Sequence, residues 1–99
     1  MANKHIRVLD LQEPGKTFLR RTYDAMTQLG WYIQGTTETT IFAKTPETFT
    51  AQPQNIYVEL LPENLVEIRS HNQLKTQVID WGRNKKNVEL LLATLDRTP

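Results

Sequence analysis

The residues best equipped for chemistry crowd into one stretch near the end of the chain, VEIRSHNQLKTQVIDWGRNKKNVE, residues 66–89. Arg83, Lys85 and Lys86 stand just before or within the first turn of a predicted helix, which is the wrong end for cations. The helix dipole and the free N–H groups there favour anions, so uncompensated basic side chains cost about 0.3–1 kcal/mol each. An internal carboxylate or an external anion would compensate. A phosphate or carboxylate held by the helix N-terminus and these cations, with Arg69 as a further candidate, is the chemistry that the pattern points to. The competing reading is purely structural. Asp80, Asn84 and Asn87 can each cap a helix by accepting backbone N–H bonds, Gly82 permits a positive φ, and long exposed lysines are screened by solvent.

Catalytic chemistry finds little footing. His5 and His71 are the only histidines and show no ligand spacing, so no metal site is assigned. Ser70 beside His71 has the look of a nucleophile and base, but adjacent strand residues point to opposite faces and cannot pair. The absence of cysteine excludes disulfides, thiolate catalysis and sulfur-ligated zinc. Glu59, Glu63 and Glu67 fit a solvated strand edge. There is no glycine-rich phosphate loop, and no cofactor is expected. Trp31, Tyr32, Phe42, Tyr57 and Trp81, beside Arg69, Lys44 and Arg83, could offer bases a stacking platform, although most of them suit a core equally well.

The elements that must position these residues follow from hydrophobic periodicity. HIRVLDLQ reads as a short strand with Ile6 and Val8 on one side and Arg7, Leu9 and Leu11 on the other. A helix is predicted from Lys16 to Leu29, entered through Pro14 and stopped by Gly30, with Phe18, Leu19, Thr22, Met26 and Leu29 inward and Lys16, Arg20, Arg21, Asp24 and Gln28 facing water. The period then changes to two. WYIQGT, TTIFAKT, NIYVELL and LVEIRS read as strands, the last two joined by a Pro62-Glu63-Asn64 hairpin and therefore antiparallel. HNQLKTQVID stays unassigned. NVELLLATLDR repeats Val88, Leu91, Leu92 and Leu95 at helical spacing.

The expected fold is α+β: an antiparallel three- to five-stranded meander with an N-terminal and a C-terminal helix packed on one face. Phe18, Met26, Ile41, Val58, Ile68, Leu91, Leu92 and Leu95 should share its core. Tyr32, Phe42 or Lys44, Tyr57 and Arg69 are candidates for the other face, although a slip of one residue would reverse each assignment. Ninety-nine residues are read as a single domain, 1–99, without repeats or linkers.

Twelve Lys and Arg against eleven Asp and Glu leave a net charge of +1, so any charge argument is local. No segment approaches the roughly 20 apolar residues of a membrane span, and the N-terminus has no apolar run of signal-peptide length, so a cytoplasmic location is expected.

Arg69-Ser70, followed by Asp80-x-Gly82-x-Asn84 and the basic pair Lys85-Lys86 opening a C-terminal helix, resembles an uncharacterised bacterial and plastid domain family of unknown function. That family carries an Arg-Ser-x-Ser-Arg strand end, a short glycine-containing link and an Asp-x-Gly-x-Asn helix start. In this chain Asn72 and Gln73 replace the second Ser and Arg, and the link is about two residues longer and lacks its glycine. The resemblance covers the last third and implies no activity.

The function expected from these observations is a small non-enzymatic binding module for a protein partner or small anionic ligand. Two alternatives differ in what they require. Single-stranded nucleic-acid binding needs a continuous basic surface joining Arg20, Arg21, Lys75, Lys85 and Lys86. An enzyme acting on a small anionic substrate needs an enclosed pocket with a perturbed titratable group.

Overall fold

The computed structural model describes residues 4–47, 52–72 and 82–99. Its elements are β1 (Lys4–Asp10), α1 (Gly15–Gln28), β2 (Tyr32–Thr36), β3 (Thr40–Lys44), β4 (Gln54–Leu61), β5 (Leu65–Asn72) and α2 (Arg83–Leu95). The strands form one antiparallel sheet in the order β1-β5-β4-β3-β2. Thus β2 to β5 make the expected meander. β1 joins its far side, carried past the other strands by α1 and paired with the last of the described strands.

Local chemistry sets the boundaries. Pro14 precedes α1 with φ −59°, where its missing N–H costs no helical bond. At the other end Gly30 adopts φ +77°, and two backbone bonds, Gly30 N–H to Thr27 C=O and Trp31 N–H to Met26 C=O, close the helix in a Schellman turn. The β4–β5 connection runs through Pro62, Glu63 and Asn64, with Glu63 at φ 64° and Asn64 at φ 59°. Asn64 locks this turn to the β1–α1 junction by donating from Nδ2 to Leu11 C=O, while its own C=O accepts from Leu11 N–H.

Burial alternates strictly along the central strands. Ile41 and Ala43 on β3, Ile56 and Val58 on β4, and Val66 and Ile68 on β5 join Phe18, Leu19, Ala25 and Met26 of α1 and Val88, Leu91 and Leu95 of α2 in one core cluster. Leu92, expected at full depth, is only partly buried at its margin. α1 packs on β2 and β3, α2 on β1 and β5, and the helices touch each other.

Arg21 departs from the solvent-facing role expected of it. It is half-buried, pairs with Glu13, and donates from Nη2 to Leu95 C=O at 2.6 Å and from Nε to Thr98 C=O at 2.8 Å. These are carbonyls at the end of α2, where a cation is stabilising. Helical spacing alone placed Arg21 on the outer face of α1; the presence of a second helix end beside it could not be read from α1.

Candidate functional site

At one end of the sheet the buried positions turn polar. In phase with Ile56 on β4 is Gln54, and in phase with Ile68 on β5 are Ser70 and Asn72; all three are buried. The first turns of α2 lay Asn84 and Asn87, three residues apart and hence on one side of the helix, over them. The five side chains close a ring of hydrogen bonds. Ser70 Oγ donates to Asn84 Oδ1 (2.8 Å), Asn84 Nδ2 donates to Asn72 Oδ1 (3.0 Å), and Gln54 Nε2 donates to the same oxygen (3.1 Å). Asn87 Nδ2 completes it by donating to Gln54 Oε1 (2.6 Å) and Ser70 Oγ (3.1 Å).

A buried amide is tolerable only when its bonds are made, and here the partners satisfy one another. The ring therefore fixes both the rotation of α2 about its axis and its position along the sheet. It also corrects two expectations. Asn84 and Asn87 lie inside α2 and point their side chains into the sheet, so neither is an N-cap. The capping position is Gly82, at φ +76°. Asp80, expected to shape this junction, lies outside the described residues, as do Lys75 and Trp81.

With Asn84 and Asn87 turned inward, helical geometry presents Arg83, Lys86 and Leu90 along an adjoining stripe. This stripe is one wall of a groove of about 310 Å³. Trp31, Thr45, Pro46, Gln52 and Gln54 supply the rest of its lining, together with the edge of Asn87. The far wall is held by reciprocal bonds between Thr45 and Gln54: Thr45 N–H donates to Gln54 C=O at 3.0 Å, and Gln54 N–H donates to Thr45 Oγ1 at 2.9 Å. The groove combines apolar surface from Leu90, Pro46 and Trp31, polar groups from Gln54 and Asn87, and positive charge from Arg83 and Lys86. No acidic residue occupies the first turn of α2.

The other candidates are placed elsewhere. Lys85 is exposed and does not line the groove. Arg69 lies on the opposite sheet face, where its guanidinium sits 4.9 Å from the Tyr57 ring centroid and pairs with Glu67 (3.3 Å) and Glu59 (3.7 Å). The expected set of four cations is thus divided between two surfaces. Beside Arg69, Phe42 and Tyr57 stack with centroids 4.5 Å apart, and His71 continues the stack at 5.3 Å from Tyr57. These rings face one another across the strands, so the middle ring has both its faces covered. Ser70 and His71 do point to opposite sides, one into the polar ring and the other onto Tyr57.

Among the described residues there is no group of three or more His, Asp or Glu able to hold a metal ion, and no helix long and apolar enough to cross a membrane. Sequence reasoning missed Gln54 and Asn72. Their signal was available in strand parity, because each falls in phase with buried aliphatic residues of its own strand. Nothing local marked Thr45, Pro46 or Trp31 as neighbours of Lys86. No protein-family model matches the chain, and no curated protein sequence matches it.

Proposed function

We propose that this protein is a non-enzymatic binding module whose groove beside the first turns of α2 receives an anionic group, a carboxylate or phosphate, attached to an apolar moiety. One observation carries the reading: Lys86, with Arg83 on the same wall, lines the same groove as Leu90, Pro46 and Trp31, and the first turn of α2 holds no acidic residue. An anion there meets the Lys86 ammonium and the dipole, while the apolar wall accepts what the anion is attached to. We further infer that both helices shelter the same sheet face. The support is that residues of both belong to one core cluster with the alternating buried positions of β3, β4 and β5.

The resemblance to the uncharacterised domain family fits this picture. Ser70 and Asn84, which stand in its two separated motifs, are hydrogen-bonded to each other, so the motifs read as a stitch between strand end and helix start. The nucleic-acid alternative is less well supported. Arg21 is committed to Glu13 and to the Leu95 carbonyl at the end of α2, about 14 Å of helix away from Lys86.

The test is an amide-resolved NMR titration with inorganic phosphate and then with short acidic peptides bearing an apolar residue. Shifts should concentrate on residues 83–87, Leu90 and the Trp31 indole, with affinity falling as salt rises. Lys86→Glu should abolish them while leaving stability equal or slightly higher, since an acid suits that end of the helix. Shifts centred on Tyr57 and Arg69, or binding that survives Lys86→Glu, would sink the proposal.

A further inference from the structure

The two edges of the sheet are not alike. β2 is short and its ladder is broken by a register shift between Ile33 and Gly35, a device that twists an edge away from further pairing. β1 has seven residues, no proline and an unbroken register with β5, and among the described residues nothing pairs with its outer side. It also carries two of the exposed large apolar side chains, Ile6 at 44% and Val8 at 51% exposure, on the same sheet face.

The backbone of β1 is set for another strand. Leu11 N–H bonds to Asn64 C=O directly opposite, so by antiparallel alternation Leu9, Arg7 and His5 turn their N–H and C=O groups inward to β5. Lys4, Ile6, Val8 and Asp10 turn theirs outward. Two copies of β1 related by a twofold axis through Arg7 would set Lys4 against Asp10, and Ile6 against Val8, each pair occurring twice. Both kinds of pair join residues whose backbone groups are outward, so both can exchange two hydrogen bonds. Shifting the axis to Ile6 sets Lys4 against Val8; shifting it to Val8 sets Asp10 against Ile6. Only the register centred on Arg7 matches charge with opposite charge and aliphatic with aliphatic.

We propose that β1 is a self-complementary edge through which a second copy of this chain binds, extending the two sheets into one. The like-charged contact, Arg7 with its counterpart, falls on the axis, where both exposed side chains can splay apart. One strand pair buries less than a standard interface, so the dimer is weak and forms only at high protein concentration. This surface is independent of the anion groove.

Sedimentation equilibrium from about 10 μM to about 1 mM should show a monomer–dimer equilibrium. Lys4→Asp and Asp10→Lys each replace two attractions by two repulsions and should weaken the dimer about tenfold, whereas the double variant should recover wild-type association to within about threefold. Arg7→Thr, which removes repulsion on the axis and adds a β-branched residue, should tighten it. All four positions of the matched pairs are exposed, so melting of dilute protein should be nearly unchanged by the charge variants. A chain that stays monomeric throughout, a dimer indifferent to the single charge reversals, or a double variant that fails to recover would each overturn the proposal.

Discussion

The polar ring shows how much can rest on one amide. Asn84 is fully buried and holds Ser70 and Asn72 together, so Asn84→Ala strips both of a partner and leaves a void. We expect a loss of about 2–4 kcal/mol in urea unfolding, and non-additivity of about 0.5–3 kcal/mol when Ser70→Ala is combined with it. Glu63 makes the opposite case. Its left-handed φ of 64° strains a residue with a Cβ, and glycine would relieve that strain. After the greater chain entropy of glycine is deducted, Glu63→Gly should stabilise by about 0.5–1 kcal/mol, read as a raised urea midpoint with an unchanged slope. At this scale the sequence was legible where only strand parity was needed, as in the separation of Ser70 from His71. Asn84 was misassigned because an Asn near a helix start suits a cap and a buried network equally well. Only the strands lying beneath it decide between them.

Elements were legible in proportion to their apolar periodicity. α1 and the β4–β5 hairpin were expected nearly where they occur, and the stop at Gly30 follows from its conformational freedom. α2 begins earlier than its apolar repeat, because Arg83 to Lys86 contribute no large apolar side chain and their turn is anchored by polar contacts to the sheet instead. The end of α2 depends on α1. Arg21→Met keeps the aliphatic stem but removes the donors to Leu95 and Thr98 and strands Glu13, and should cost about 1–3 kcal/mol. In amide hydrogen exchange the effect should appear as faster exchange in the last turn of α2, with the first turn unaffected. A uniform change along α2 would mean that Arg21 acts through general packing rather than as a cap.

For the molecule as a whole, the predicted α+β class and antiparallel sheet agree with the structure, but the placement of β1 beside β5 was outside the reach of periodicity, which says nothing about partners. The core distinguishes neighbouring leucines. Leu91 is fully buried and Leu92 lies at the margin, so Leu91→Ala should lose about 2–5 kcal/mol and Leu92→Ala clearly less. Paired chemical denaturation curves would show it. The order β1-β5-β4-β3-β2 also bears on how the chain assembles in time. Each strand of the β2–β5 meander meets its immediate successor, so those pairings close short stretches of chain, whereas β1, which ends at Asp10, must await β5, which begins at Leu65. The expected order is a meander that forms first, with the N-terminal strand arriving late. Pulse-labelled refolding should then protect the amides of β4 before those of β1. A chain emerging N-terminus first would hold β1 unpaired until β5, which begins only at Leu65, had been made.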